Sequence, residues 1–222
     1  MWEQKEIYIM SNFKYVTKKE YQPVKNELIE LINLVQDEVR EYFTFRYDFI
    51  GSASRNMITR DEDSNVGYDF DVNIRVNDEE EDYTAKDIKQ ILINGFNQYN
   101  HLFDYDYCED SKRVITIKVK DRKKSRILHS CDFAVVYDCE DGRQQYIHYN
   151  KVQQSYGWQY QPKDFYRLTE KMEAIKEEGY WQEVRDLYID KKNNNTDPNK
   201  KSRSIFAETI AQVYNNHFDD ED

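Results

Sequence analysis

The sequence lacks the features that would place the protein in a membrane or in an oxidising compartment. Its 222 residues contain no run close to the roughly 20 apolar residues that a transmembrane helix needs. The first residues carry charges inside a short apolar stretch and do not match a signal peptide. Three cysteines, Cys108, Cys131 and Cys139, are an odd number without metal-ligand spacing, so we interpret them as reduced thiols. We therefore expect a soluble cytoplasmic protein with no membrane partner.

The chain also has few histidines, and its net charge is negative. The four histidines have no catalytic spacing, and 32 Lys and Arg residues oppose 43 Asp and Glu residues, which gives a formal net charge of −11. A chain this acidic does not attract a long polyanion through its overall charge. We expect a small ligand, or one chelated to a metal ion, rather than duplex nucleic acid, and a local basic channel stays open as an alternative. Hydrophobic residues make up 39% of the chain, enough for a folded core.

Hydrophobic periodicity predicts an α/β (α+β) fold in which a sheet core precedes a helical C-terminal part. From Tyr21 onward, apolar residues recur at three- and four-residue steps and predict a helix with one buried stripe, formed by Val24, Leu28, Leu31, Ile32, Val35, Val39 and Tyr42. Thr84 is a good N-cap for a second helix. The predicted strands are 43–50, 68–76, 103–108, 113–120, 127–137 and 144–149, and the predicted helices are 85–99, 163–178, 180–190 and 198–217. The expected domains are a core of residues 1–150 and a helical region of residues 151–222.

The predicted strand 68–76 carries two carboxylates, Asp69 and Asp71, in an apolar stretch. Side chains two apart on a strand point to the same face, so these two lie side by side with Phe70 on the other face. Neighbouring carboxylates repel each other, and a shared cation removes that cost. Mg²⁺ prefers oxygen ligands of this kind, together with substrate phosphates. We interpret the pair as metal ligands, and a solvated strand edge is the alternative.

A third carboxylate, Asp132, is the single acid in the apolar strand 127–137. A lone Asp in such a run is costly to bury unless a charged or hydrogen-bonding group meets it. Backbone N–H groups or an arginine would satisfy it in an ordinary protein. Together with Asp69 and Asp71 it completes the set of ligands that two divalent ions need.

A Gly51-Ser52 turn follows the predicted strand 43–50 at once. Glycine lets the backbone bend and approach a ligand closely. If a short helix starts after Ser52, its N–H groups and the serine hydroxyl would face a phosphate. Arg55, one turn further, would add a charge-assisted contact. By itself, a Gly-Ser pair is found in many ordinary turns.

The order of these elements resembles the nucleotidyltransferase fold of the DNA polymerase β superfamily over residues 21–150. The matching residues are Gly51-Ser52, Asp69-Phe70-Asp71 and Asp132, and "GSASRN" is similar to the opening of bacterial nucleotidyltransferases and cyclic-oligonucleotide synthases. The interval of sixteen residues between Ser52 and Asp69 is longer than usual in that superfamily. We interpret the acidic segment 61–67 as an enlarged loop. An alternative register would use Asp61 or Asp63 as a ligand.

The resemblance implies a mixed-sheet core and a two-metal mechanism. Two Mg²⁺ ions would be held by Asp69, Asp71 and Asp132, activating an acceptor hydroxyl and neutralising the departing pyrophosphate. An NTP donor such as ATP would be held by Gly51, Ser52 and Arg55. In the arrangement of that family the third carboxylate, here Asp132, lies nearest the acceptor and could help to take its proton. The helical C-terminal region would complete the cleft.

The remaining roles stay open at the level of sequence. Three lysines of the helical region are candidates for contact with the triphosphate, and they are Lys171, Lys176 and Lys201. The aromatic residues that are candidates for stacking on a base are Tyr68, Tyr156, Trp158 and Tyr160. The acceptor could be a small molecule, another nucleotide, an RNA end or a protein side chain, and the acidic charge counts against RNA. Alternatives to an active transferase are a catalytically silent binding module, such as an antitoxin or regulatory partner, and a phosphohydrolase.

Overall fold

The computed structural model describes residues 11–78, 82–162 and 167–218. These residues fall into two compact units. The unit that we call the sheet unit comprises Val16–Thr59 and Ser64–Gln161. The helical unit comprises Arg60–Asp63 and, of the described residues, 11–15, 162 and 167–218. The predicted functional division between residues 1–150 and 151–222 stays a prediction, and these contact-based units do not follow the same boundary.

The described elements follow the predicted change from a sheet to helices. In chain order they are β1 (Phe13–Tyr15), α1 (Lys18–Val39), β2 (Thr44–Ile50), α2 (Gly51–Ser54), β3 (Thr59–Asp61), β4 (Tyr68–Asn77), α3 (Ala85–Tyr99), a 3-10 helix (Asn100–Phe103), β5 (Glu109–Asp110), β6 (Val114–Asp121), β7 (Arg126–Asp138), β8 (Gln144–Asn150), β9 (Ser155–Tyr160), α4 (Leu168–Glu177), α5 (Trp181–Asn193) and α6 (Ser202–Phe218).

The main sheet has the strand order β2-β4-β7-β6-β5, and β8 and β9 extend it from the end of β7. β4 and β7 run parallel, whereas the other described pairs of this sheet are antiparallel. The predicted mixed α+β architecture is therefore confirmed. β1 and β3 form a separate two-stranded sheet.

β4 has one apolar face and one polar face. Its even-numbered residues are buried in the main core: Tyr68, Phe70, Val72, Ile74 and Val76. Helices α1 and α3 contribute Leu31, Val35 and Leu92 to the same core. The odd-numbered residues of β4 therefore lie on the opposite face of the sheet, and they are Asp69, Asp71, Asn73, Arg75 and Asn77.

The two core helices begin at matching caps. Thr17 and Glu20 form a capping box at the start of α1, and Thr84 and Asp87 form one at the start of α3, as the sequence predicts for Thr84. α1 ends at Val39, so Tyr42 lies beyond the helix and is 49% exposed rather than part of the predicted buried stripe.

The helical unit packs α5 and α4 against α6. The Asn193 side chain accepts a hydrogen bond from the N–H of Phe13 at 2.6 Å and donates one to its carbonyl at 3.2 Å, which ties β1 to α5. Helices predicted at 180–190 and 198–217 are present with shifted ends, and the first residues predicted for 163–178 lie outside the described residues. Of the helices that are described, none has the length and apolar character to cross a membrane.

One predicted strand was wrong, and β1, β3, β5 and β9 were not predicted from the sequence. The predicted strand 103–108 is replaced by the end of the 3-10 helix and a turn, in which Asp104 adopts a left-handed conformation with φ of 61°. The Asn100 amide holds this turn by donating to the Asp106 carbonyl at 2.9 Å. β9 was missed because the predicted sheet ended at residue 150. It pairs with β8 as a local antiparallel hairpin across the turn at residues 151–154, which was not recognised in the sequence.

The ring stack between Phe133 of β7 and Phe96 of α3 tests the core. Their centroids are 4.3 Å apart, and both side chains are fully buried. We expect Phe133→Ala to lower the free energy of unfolding by about 3–5 kcal/mol, because the deletion leaves a cavity. Leu128→Ala on the same strand is the control, since Leu128 is 37% exposed, and it should cost less than about 1 kcal/mol. Urea unfolding measures both, and equal losses would contradict this packing.

Candidate active site

The register of the sheet brings the three predicted carboxylates to one face. Asp71 of β4 lies directly opposite Asp132 of β7 in the parallel pair, and Asp69 lies opposite Ser130. Neighbouring strands are about 4.8 Å apart, and residues opposite each other project to the same side. Asp69 is exposed, whereas Asp71 and Asp132 are partly buried. Strands far apart in sequence thus place all three side chains together.

The electrostatics of the site reflect this crowding. Burial, and after it the nearby charges of Asp69 and Asp132, raise the pKa of Asp71 to about 6, while Arg55 opposes them. Burial also raises the pKa of Asp132, and a hydrogen bond from Thr116 opposes that shift. The carboxylates therefore lie in a field that disfavours their simultaneous ionisation, as expected for like charges that share a site.

Thr116 holds Asp132 from the other side. It lies opposite Asp132 in the antiparallel pair of β6 and β7, and its hydroxyl donates to Asp132 Oδ1 at 2.5 Å. Two residues along β6, Lys118 forms an ion pair with Glu109 at 2.5 Å. Sequence reasoning missed Thr116. The alternation of polar and apolar residues in "VITIKV" was the available signal, but it did not show which strand would be the neighbour.

Gly51 makes a close approach that other residues would not permit. Its φ is +63°, and a Cβ atom added to it would lie 2.3 Å from Asp71 Oδ2. The preceding residue, Ile50, is the register partner of Asp71. The predicted requirement for glycine is present, but the group that approaches it is the carboxylate of the site itself.

The helix predicted after Ser52 is a single turn, α2, which begins at Gly51. The Ser52 carbonyl accepts hydrogen bonds from the N–H groups of Arg55 at 3.3 Å and Met57 at 2.9 Å, so the turn closes on itself. Arg55 lies near enough to lower the pKa of Asp71. Ser52 and Arg55 are therefore held in the segment that follows Gly51, and their role in binding phosphate stays a prediction.

The alternative choice of Asp61 or Asp63 as a metal ligand has no comparable support. Asp61 Oδ1 accepts hydrogen bonds from the N–H groups of Asn12 at 3.1 Å and Asp63 at 3.2 Å, so it holds its own loop. Among the aromatic candidates, Tyr68 is buried in the core against Phe70. Tyr156 is partly buried and donates to Asp110, and the Arg143 guanidinium lies 3.9 Å from the ring centre of the exposed Tyr160.

The lysine candidates are found in the helical unit. Lys171 lies over the ring of Tyr214 at 4.9 Å, and Lys176 lies over Trp181 at 4.8 Å. The Lys201 carbonyl accepts the N–H of Ile205 at the start of α6. Their predicted contact with a triphosphate stays a prediction.

Three cavities of the described residues lie away from the carboxylates. One cavity in the described residues, of about 510 Å³, is lined by residues of the helical unit such as Asn193 and Lys200. Two others, of about 430 and 340 Å³, are lined by parts of the sheet unit that do not include Asp69, Asp71 or Asp132.

The residues of this face have the chemistry that a hard divalent cation requires. Three carboxylates offer oxygen ligands, and their mutual repulsion is a cost that a cation would relieve. Within residues 11–78, 82–162 and 167–218, no group of three or more Asp, Glu, His or Cys side chains forms a ready metal site. Mg²⁺ in phosphoryl-transfer sites often takes only one or two carboxylates, with substrate phosphates and water as its other ligands. The donor set therefore fits Mg²⁺ bound together with a nucleotide, and its binding stays a prediction.

Comparison with known proteins identifies the fold. No family model matches the sequence, and no curated protein matches it. GTP-bound DncV of Vibrio cholerae superimposes with a TM-score of 0.56 at 13% identity, over 89% of this chain and 52% of DncV. The CdnE c-di-GMP synthase of Capnocytophaga granulosa gives a TM-score of 0.56 at 15% identity, over 92% of this chain and 64% of CdnE. DncV of Escherichia coli gives 0.52 at 14% identity, over 89% and 54%. The predicted nucleotidyltransferase fold is confirmed, and the chain spans about half to two thirds of the length of these structures.

The contact between Gly51 and Asp71 predicts a coupled pair of mutations. Gly51→Ala should lower the free energy of unfolding more than Gly142→Ala. Both positions have positive φ, but nothing lies within 4 Å of a Cβ added at Gly142. Gly142→Ala, the control, should lower the free energy of unfolding by about 1–2 kcal/mol, because only the backbone conformation is strained. In an Asp71→Ala background the excess cost of Gly51→Ala should disappear, since the clashing carboxylate is gone. Chemical denaturation of the four variants measures this, and an excess that survives in the double mutant would contradict the contact.

The raised pKa of Asp71 predicts how stability depends on pH. The folded protein holds this proton up to about pH 6, whereas an unfolded Asp releases it near pH 3.9. The contribution of Asp71 to the free energy of unfolding is therefore full below pH 4 and is lost as pH rises through 6. In metal-free buffer, Asp71→Asn should be more stable than wild type at pH 7.5, by roughly 2 kcal/mol, and the difference should shrink toward pH 4.

Asp138→Asn is the control with the opposite sign. Hydrogen bonds from Gln144 and Arg75 lower the pKa of Asp138, so its stabilising contribution is present at neutral pH and lost in acid. Thermal melting of both variants between pH 3.5 and 8 measures the two trends. A destabilising effect of Asp71→Asn at pH 7.5 would contradict the raised pKa of Asp71.

Proposed function

We propose that the protein is a metal-dependent nucleotidyltransferase that transfers a nucleoside monophosphate from an NTP to an acceptor hydroxyl and releases pyrophosphate. The observation that carries the proposal is the row of Asp71 and Asp132 on adjacent parallel strands, with Asp69 beside it and Gly51 against it. The nucleotidyltransferase fold supports it. The activity would take place in the cytoplasm, and ATP is a candidate donor.

Asp69, Asp71 and Asp132 would hold Mg²⁺, most simply as two ions. Bound Mg²⁺ would supply Lewis acidity toward the acceptor oxygen and would neutralise charge on the pyrophosphate. The backbone and hydroxyl of Ser52, after the tight turn at Gly51, would receive the triphosphate. Arg55 carries its charge near Asp71 and would add a charge-assisted contact to a phosphate oxygen.

Asp132 would take the proton of the acceptor hydroxyl. Its carboxylate is oriented by the Thr116 hydroxyl, which fixes Oδ1 and leaves Oδ2 for another partner. The raised pKa makes Asp132 a better proton acceptor than an ordinary aspartate, which is the property that general base catalysis needs. Thr116 would thus act as a positioning residue.

A second nucleotide or another small molecule is the favoured acceptor. DncV is described as a cyclic AMP-GMP synthase and CdnE as a c-di-GMP synthase, and both descriptions name products made from nucleotides. The formal net charge of −11 opposes a long RNA acceptor. A binding module without turnover is the second candidate, because no ready three-ligand metal site exists in the described part of the chain.

Product analysis tests the proposal. Purified protein is incubated with all four NTPs and Mg²⁺, and pyrophosphate and new nucleotide products are measured by a coupled assay and mass spectrometry. We expect activity that EDTA removes. Asp71→Ala should reduce it at least ~100-fold, since even groups that only orient metal ligands contribute about 10–100-fold. Asp48→Ala, on the same face but beyond the carboxylate row, should keep most of the activity.

Other outcomes separate the alternatives. Nucleotide binding by calorimetry without any product, across a panel of acceptors, would favour the silent binding module. Release of inorganic phosphate instead of pyrophosphate would favour a phosphohydrolase. Equal activity of Asp71→Ala and wild type would show that the reaction does not depend on the Asp71 carboxylate.

A further inference from the structure

The aromatic side chains on one face of β9 form a row in which the outer two rings each contact a cation. Tyr156, Trp158 and Tyr160 alternate along the strand and therefore project to the same face. Lys89 Nζ lies 5.1 Å from the centre of the Tyr156 ring, and the Arg143 guanidinium lies 3.9 Å from that of Tyr160. Both distances are within the range in which the electron-rich face of a ring attracts a cation.

Each of these two cations also binds a carboxylate. Lys89 Nζ lies 2.6 Å from Asp110, and the Arg143 guanidinium lies 2.6 Å from Asp141. The face of β9 therefore combines a ring, a cation and a carboxylate at two of its three aromatic positions.

The middle ring, Trp158, has aromatic and acidic neighbours but no cation. In the described part of the chain, no lysine or arginine lies over its ring. Trp158 lines the cavity of about 430 Å³ together with Tyr83, Tyr137, Asp78 and Asp82, and no lysine or arginine is among the described residues that line it. The ring centres of Trp158 and Tyr137 are 6.0 Å apart. We call this space the Trp158 cavity, and it lies within the sheet unit.

The charge around the Trp158 cavity is negative. In the sequence, residues 78–82 read DEEED. The Asp78 carboxylate accepts hydrogen bonds from the N–H groups of Asp82 at 3.2 Å and Tyr83 at 3.1 Å, which are neutral donors. Over the described ranges, neither Asp78 nor Asp82 forms an ion pair with a lysine or arginine. The local potential therefore attracts a positively charged ligand.

We infer that the Trp158 cavity binds an organic cation, a guanidinium or alkylammonium group, between its aromatic rings and the carboxylates of Asp78 and Asp82. Such a group can contact ring faces and carboxylates together, as Lys89 and Arg143 do on the same face of β9. A hard metal ion fits less well, because it needs several oxygen ligands and gains little from aromatic rings. The inference is independent of the proposed function, since the cavity includes none of the three carboxylates of the candidate active site.

Calorimetric titration in low-salt buffer tests the inference with two guanidinium probes. Agmatine represents a free small cation, and a capped Gly-Arg-Gly peptide represents an arginine side chain of a protein. Wild type should bind at least one probe, and added salt should weaken that binding. The same peptide with citrulline in place of arginine should not bind, because citrulline has nearly the same shape but no charge. Binding of the peptide alone would identify a protein side chain as the source of the cation, whereas comparable binding of agmatine would show that a free cation suffices.

Variants of the ring and of one carboxylate locate the binding. Trp158→Leu should weaken binding about tenfold, and Trp158→Phe should weaken it less, because phenylalanine keeps a ring. Asp78→Asn keeps an oxygen acceptor for the two N–H groups and removes the charge, so it should weaken binding about threefold. Tyr160→Leu is the matched control, since Arg143 already lies on that ring, and it should bind as wild type does. Melting temperatures show which variants are folded, and Trp158→Phe and Asp78→Asn carry the test if Trp158→Leu is not.

Three results would overturn the inference. Failure of wild type to bind either probe would show that the cavity takes no guanidinium. Equal binding of the arginine and citrulline peptides would show that charge is not recognised. Wild-type affinity in folded variants of Trp158 and Asp78 would place the binding elsewhere. Asp71→Ala should bind the probes as wild type does, so failure of the proposed transferase and failure of cation binding are separate results.

Discussion

The parallel pairing of β4 with β7 is the interaction on which the site depends. It sets Asp71 beside Asp132, and a shift of one residue would turn one of the two carboxylates toward the core. The register is fixed from the other face, where Phe70, Val72 and Phe133 are fully buried. The same alternation that buries these apolar residues therefore aligns the carboxylates. The chemistry of one face is held in place by the packing of the other.

On the polar face, the carboxylates repel one another while neighbouring residues hold them in place. Burial, and after it the charges of Asp69 and Asp132, raise the pKa of Asp71, which is a cost to the folded protein without a cation. Gly51 makes room for the Asp71 carboxylate, and Thr116 holds that of Asp132. Such a site stays open to a ligand that brings positive charge and phosphate, as a metal-bound nucleotide does. This is the physical basis of the proposed transferase.

Local patterns predicted what depends on neighbours in sequence. The alternation around Asp69 and Asp71, the turn at Gly51 and the cap at Thr84 follow from strand period, backbone freedom and helix ends, and the structure contains all of them. The placement of Asp132 required the resemblance to a known fold, because its partner strand lies some 60 residues away. Thr116 was not found, since a role that depends on pairing with another strand is absent from the local pattern.

Titration with Mn²⁺, followed by electron paramagnetic resonance, tests the central claim most directly. Mn²⁺ replaces Mg²⁺ at oxygen sites, and the free ion gives a strong signal that binding removes. With a non-hydrolysable NTP analogue present, the account predicts that wild type removes the free Mn²⁺ signal well below the concentration needed with nucleotide alone. Asp71→Asn and Asp132→Asn should each shift that titration back toward nucleotide alone. A free Mn²⁺ signal that is the same with wild type and with both variants would show that these carboxylates do not hold a metal-bound nucleotide.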